Sequence, residues 1–195
     1  LNKKMAQGMY HHLREAWKKP DEATARQRSI EWRASNAVTK VEKPLRLDRA
    51  RALGYKAKKG FVVYRVRLMR GGRKRTRLGV KGRKSRKQTN RLTLKMSYQW
   101  VAEIRAAKKH RNLEVLNSYN IGKDGKYYYF EVIMVDPSKP EIKSDRTMKW
   151  ITQPGNRKRT ERGLTSAGKK SRGLRSKSPN QKVRHSGRAW NRKGK

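Results

Sequence analysis

The sequence predicts an α+β fold: a small mixed or antiparallel sheet with packed helices, plus a long basic internal loop and an extended C-terminal tail. Three observations carry that expectation. Residues 61–68 alternate with a period of two, residues 97–110 repeat with a helical period, and residues 113–121 and 126–135 read as the two arms of a hairpin. Strand, helix and hairpin in that order give a small sheet with helices laid on it. Outside these segments run two stretches too cationic to bury apolar surface.

From the N-terminus, residues 5–19 read as a helix, with Met5, Met9, Leu13, Ala16 and Trp17 at helical spacing and Pro20 as the stop. A second helix is expected from Thr24 to Ser35, with Thr24 and Gln27 at capping-box spacing and Ile30 and Ala34 on one face. A short strand is expected at Val38–Val41. A short helix follows from Leu47 to Leu53, stopped by Gly54, with Asp48 placed to cap it. In the strand 61–68, Val62, Tyr64, Val66 and Leu68 face one way, and Phe61, Val63, Arg65 and Arg67 the other. Ser97 is a suitable N-cap for the helix 97–110, whose stripe reads Trp100, Val101, Ile104 and Ala107. The hairpin turns at Gly122-Lys123-Asp124-Gly125. Its second arm is apolar on both faces, so it is expected to be central in the sheet and covered on both sides. Asp136-Pro137 ends it.

Charge narrows the function. The 195 residues include 55 Lys+Arg and 14 Asp+Glu, a net charge of +41. Such a charge opposes compaction unless a polyanion neutralises it. The apolar share of 33% lies below the usual ~45–50%. No run approaches the roughly 18 apolar residues of a membrane span. With no cysteine there is neither a disulfide framework nor a thiolate zinc site. The first ten residues hold no apolar core of signal-peptide length, so export is not expected.

The basic residues are concentrated. From Arg49 to Ala102 there is no acid and there are 19 Lys+Arg; residues 157–195 hold 15 Lys+Arg and one acid, Glu161. The chain therefore divides into an N-terminal helical segment (1–37), an α+β core (38–156) with a basic loop at 70–96 that would take shape on an anion, and an extended basic tail (157–195). Arginine offers phosphate a planar fork, and glycine lets the backbone come close, as in Arg70-Gly-Gly-Arg-Lys-Arg75. Trp32, Tyr55, Trp100, Tyr119, Trp150 and Trp190 are candidates to stack on unpaired bases. Trp100 belongs to the helical stripe and is assigned to the core; Trp190, in the tail, is the best stacking candidate.

Catalysis has little support. The four histidines do not form a site, and neither a phosphate-binding glycine loop nor a dinucleotide fingerprint is present. Glu131 and Asp136 are the only acids worth mutating to test for an enzyme. An internal loop of some 20 residues makes sense when it is buried in another molecule, and folded RNA offers crevices lined by phosphate and splayed bases. A DNA-compacting chromatin protein and an RNA-modifying or ribosome-assembly enzyme remain alternatives at this point.

Several blocks resemble the archaeal and eukaryotic "fifteen-e" family of large-subunit ribosomal proteins, which is distinct from the bacterial protein of the same number. They are Leu47-Asp-Arg-Ala-Arg-Ala-Leu-Gly-Tyr-Lys-Ala-Lys-Lys-Gly60, Phe61-Val-Val-Tyr-Arg-Val-Arg67, Arg70 to Arg75, Val115-Leu-Asn-Ser-Tyr119, Tyr129-Phe-Glu-Val-Ile133, Val135-Asp-Pro137, Trp150-Ile-Thr152 and Arg162-Gly-Leu-Thr-Ser-Ala-Gly-Lys-Lys-Ser-Arg-Gly-Leu174. The resemblance implies a structural constituent of the large ribosomal subunit, cytoplasmic and without enzymatic activity. Its partners would be large-subunit ribosomal RNA and neighbouring ribosomal proteins, with no membrane and no small-molecule substrate. No cofactor is implied beyond Mg2+ or K+ held mainly by the RNA. By similarity, Lys56, Lys58, Lys59, Arg70, Arg73, Lys74, Arg75, Lys169, Lys170 and Arg172 would contact RNA. The basic runs add Arg49, Arg51, Arg65, Arg67, Arg77, Lys81, Arg83, Lys84, Arg86, Lys87, Arg157, Lys158, Arg159, Arg162, Arg175, Arg188 and Arg192, with Trp190 stacking. The lack of cysteine and a C-terminus short beside eukaryotic members lean toward an archaeal source.

Overall fold

The computed structural model describes residues 6–74, 91, 92, 94 and 96–175, with residues 73, 74, 91 and 92 described through their backbone. Two helices lead, α1 (Met9–Lys18) and α2 (Glu22–Ala34), followed by β1 (Val38–Val41), α3 (Leu47–Ala52) and β2 (Phe61–Met69). A two-residue ribbon pairs β3 (Arg73–Lys74) with β4 (Arg91–Leu92). Then come α4 (Tyr98–Lys109), β5 (Glu114–Lys123), β6 (Tyr127–Val135), α5 (Pro140–Lys143), two 3-10 turns at Lys149–Thr152 and Pro154–Asn156, and α6 (Ser166–Ser171).

The main sheet is antiparallel throughout, in the order β1-β2-β6-β5. The doubly apolar arm is therefore central, and every residue from Tyr129 to Val135 is buried. Its alternation feeds two cores. Phe130, Val132 and Met134 pack with Tyr64, Val66 and Leu68 of β2 against Ala102 and Ala106 of α4. Tyr129, Ile133 and Val135 pack on the other face with Trp32 of α2, Ala50 of α3, Ile142 and Ile151. Each such large side chain fully buried contributes about 1.5–3 kcal/mol, so a central strand this apolar anchors both layers.

Some local signals resolve differently from expectation. Asp21, not Thr24, caps α2: its carboxylate accepts from the Thr24 amide at 2.8 Å. Asp48 pairs with Arg46 at 3.2 Å instead of capping α3, which has no side-chain cap. Ser97 does cap α4, accepting from the Trp100 amide. The buried face of α4 is Ala102, Glu103 and Ala106, rotated from the predicted stripe, and Ile104 is only half-buried. An acid occupies the core position because two hydroxyls meet it, as described below.

The basic runs are partly structured. Residues 157–175, expected to lie in an extended tail, close on the core through α6. Gly163 has φ +67, and a Cβ on Gly168 would stand 2.8 Å from the Gly163 Cα. Gly168 lets α6 approach the turn at Gly163, and Gly163 lets that turn lie against the Trp100 ring of α4. At the internal run, the β3–β4 ribbon closes the base of the expected loop, and the Tyr98 hydroxyl donates to the Gly71 carbonyl at 2.7 Å.

Candidate nucleic-acid interface

With so few acids, the arginines of the core find other partners. Six arginines lie over aromatic rings: Arg46 on Trp17, Arg51 on Tyr10, Arg65 on Trp32, Arg67 on Tyr127, Arg70 on Tyr128 and Arg159 on Trp150. Such contacts usually occur about once per 70–80 residues; here they supplement a small number of ion pairs, among them Arg46 with Asp48 and Arg65 with Glu31. Backbone carbonyls take most of the remaining donors. Arg159 donates to the carbonyls of Val115 at 2.6 Å and Leu116 at 3.1 Å, and burial lowers its pKa. Arg67 reaches the Arg33 carbonyl near the end of α2, where the helix dipole is negative. Arg70 donates to the Asp124 carbonyl at 2.7 Å. Arg162 donates to the carbonyls of Gly155 and Arg157, Arg172 to the Gly163 carbonyl, and Arg175 to the Ser166 hydroxyl.

These contacts sort the expected RNA-binding residues. Arg51, Arg65, Arg67, Arg70, Arg159, Arg162, Arg172 and Arg175 are engaged within the chain. Lys56 and Lys58 converge on Asp145, at 2.8 and 2.6 Å. Hydrogen bonds from Lys56 and then Lys58 hold the Asp145 carboxyl well below the usual carboxylate range. By contrast, the side chains of Arg49, Lys59, Arg157, Lys158, Lys169 and Lys170 are exposed and have no partner among the described residues. Arg157 and Lys158 stand together before α6, and Lys169 and Lys170 lie in its last turn. Arg73 and Lys74 are in the ribbon. Arg75, Arg77, Lys81, Arg83, Lys84, Arg86, Lys87, Arg188, Trp190 and Arg192 lie outside the described residues.

The aromatic candidates are mostly internal. Trp32 is buried against Tyr129, with ring centroids 5.0 Å apart. Tyr119 is buried and donates to Glu131. Tyr55 packs edge-on against Phe61, and Trp150 lies under Arg159. Trp100 is half-buried and its Nε1 donates to the Thr160 carbonyl at 2.8 Å.

The two buried acids have structural partners. Glu103 accepts from the hydroxyls of Ser118 and of Thr165, the latter at 2.6 Å, so it ties α4 to β5 and α6. Glu131 accepts from the Tyr119 hydroxyl and from the Leu45 amide at 3.1 Å. Burial raises both carboxyls above their ordinary value. Asp136 accepts from the amide and hydroxyl of Ser138 in the turn after β6. Among the described residues no group of His, Asp or Glu is placed to hold a metal ion, and no helix is long and apolar enough to cross a membrane. These are the features of a basic scaffold that keeps many of its arginines for itself and leaves a subset of cations open to a polyanion.

Comparison with known proteins agrees. The family described as Ribosomal L15 (Ribosomal L15e) matches residues 8–190. The large ribosomal subunit protein eL15 of Methanospirillum hungatei is 49% identical over 176 residues, covering 88% of this chain and 89% of its own length. The chain belongs to the Ribosomal L15e family; it is a structural protein of the large ribosomal subunit and not an enzyme.

Proposed function

We propose that the chain binds and cross-links folded large-subunit ribosomal RNA mainly through phosphate contacts. The observation that carries this is the division among its cations. The core holds Arg65, Arg67 and Arg159 on its own rings and carbonyls. Arg49, Lys59, Arg157, Lys158, Lys169 and Lys170 are exposed without internal partners among the described residues. Phosphates neutralised by such residues release counterions, and the affinity then falls as salt rises. The N-terminal helical segment (1–37), the core (38–156) and the basic residues 157–195 divide this work: the core, with α6 packed on it, positions the cations of 70–96 and of 157–195 that meet the RNA. Neighbouring ribosomal proteins dock on the same core, and Mg2+ or K+ belongs to the RNA.

Sedimentation of a cell lysate through a sucrose gradient after a high-salt wash tests this. The chain is expected to stay in the large-subunit peak at stoichiometric level. Release by the wash, or migration with DNA, would instead support the chromatin-protein reading.

A further inference from the structure

Charge is shared unevenly along the chain. Residues 6–48 hold 9 Lys+Arg and 6 of the 14 Asp+Glu, while residues 49–195 hold 44 Lys+Arg and 8 acids. The two N-terminal helices and the approach to α3 are therefore close to neutral in a molecule that is otherwise strongly cationic. The same region carries a poorly covered apolar face. In α1, Met9, Leu13, Ala16 and Trp17 recur at the spacing of one helical face. Yet no residue of α1 is buried, and Met9 is 58% and Leu13 39% exposed. All four line an open groove of about 450 Å³, together with Pro20, Leu45 and Leu47.

The charged groups along this groove are of both signs: Asp21, Arg28, Arg46 and Asp48. Arg46 and Asp48 pair with each other at 3.2 Å. Asp21 and Arg28 are left over. The Asp21 carboxylate accepts from the amide and the hydroxyl of Thr24, and no cation among the described residues pairs with it. Arg28 makes no hydrogen bond or ion pair among the described residues. Seven residues separate the two, about 10 Å along the α2 axis and on one side of it. These features select an occupant. A phosphodiester carries charge of one sign and is repelled at Asp21. A second copy of this chain would set +41 against +41. A segment of a different protein brings apolar side chains together with a cation for Asp21 and a carboxylate for Arg28, in the manner of a peptide laid in an apolar groove.

We propose that the groove beside α1 docks an amphipathic segment of a neighbouring protein of the large subunit, with apolar side chains against Met9, Leu13 and Leu47, a Lys or Arg at Asp21 and an Asp or Glu at Arg28. The inference rests on the large-subunit reading above for its setting, and gives the nearly neutral part of the chain a partner other than RNA.

The test uses salt-washed large subunits that carry the full chain with p-benzoylphenylalanine in place of Met9 or of Leu13. Photolysis should join both positions to one segment of one other ribosomal protein, a segment with apolar residues, a Lys or Arg and an Asp or Glu. Leu13→Glu should lower the yield of the Met9-position adduct about tenfold or more, because it sets a carboxylate among apolar side chains. Asp21→Asn, which keeps a good N-cap, and Arg28→Gln should each lower it about two- to fivefold. All three variants should keep the Tm of the unmodified chain, since α1 has no buried residue and neither charge is paired internally. They should also keep its affinity and salt slope on purified large-subunit ribosomal RNA.

Adducts to ribosomal RNA, adducts to another part of this same chain, or no adduct at all would overturn the proposal while leaving RNA binding intact. So would an undiminished adduct in all three variants. Weakened RNA affinity of Leu13→Glu at an unchanged Tm would give the groove to RNA and also overturn it. Loss of the unmodified chain from the washed subunits would instead overturn the RNA-binding reading itself.

Discussion

At the scale of single residues, arginine has two uses here, and they predict different experiments. Arg159 is held by two β5 carbonyls and the Trp150 ring. Hydrogen bonds involving a charged group are worth about 1.5–3 kcal/mol, so Arg159→Met should destabilise the fold by about 2 kcal/mol. For a chain of this length that lowers Tm by roughly 4–8 °C, readable by thermal unfolding, and it should leave the salt slope of RNA binding unchanged. Buried acids give a second test. Burial raises the Glu103 carboxyl above its ordinary 4.5. Its stabilising contribution is therefore complete below pH 4.5 and is lost as pH rises toward the higher folded value. Glu103→Gln should gain stability relative to the unmodified chain as pH rises above 4.5; a Tm difference that does not change with pH there would contradict this. Asp145 has the opposite sign, because Lys56 and Lys58 lower its carboxyl. Its contribution is present above its ordinary 3.8 and fades as pH falls, so Asp145→Asn should flatten the acid limb of the Tm profile. Neither acid's role was legible beforehand. The partners of Glu103 on β5 and before α6 lie 15 and 62 residues away, and those of Asp145 lie 89 and 87 away.

At the scale of elements, period and polarity carried most of the architecture. The alternation of 61–68 and the apolar run of 126–135, interrupted inside the strand by Glu131 alone, mark β2 and β6 because a half-buried strand must alternate and a central one need not. Helix α4 was legible in extent but not in rotation. Its hydrophobic stripe pointed to Ile104, while the packed face carries Glu103. The 157–175 region was hidden by composition. Its order depends on close backbone approach at Gly163 and Gly168 and on the Glu103–Thr165 hydrogen bond. Gly168→Ala places a methyl group 2.8 Å from the Gly163 backbone. It should loosen α6, at a cost of about 1–3 kcal/mol typical of overpacking. Hydrogen exchange should then show faster exchange across 166–172, with β6 unaffected; unchanged exchange there would count against this packing. The candidate interface was legible as a region, since its cations cluster in sequence. Which of them are free was not, because rings and carbonyls far along the chain decide it.

At the scale of the whole molecule, a net charge of +41 is compatible with a folded core because aromatic faces and carbonyls absorb part of it; in the function proposed above, phosphate neutralises the exposed remainder. The large-subunit ribosomal family defines the setting in which that charge is neutralised. The central claim is that the unpaired cations, not the internally held ones, bind ribosomal RNA. The most direct test is the salt dependence of binding to large-subunit ribosomal RNA for two multiple variants. In one, Arg49, Lys59, Arg157, Lys158, Lys169 and Lys170 become Gln; in the other, Lys56, Lys58 and Arg70 do. The first should flatten the plot of log K against log salt by about 0.7–0.9 for every phosphate no longer neutralised. The second should leave the slope near that of the unmodified chain. Equal slopes for the unmodified chain and the first variant, or a slope flattened equally in both variants, would contradict the account.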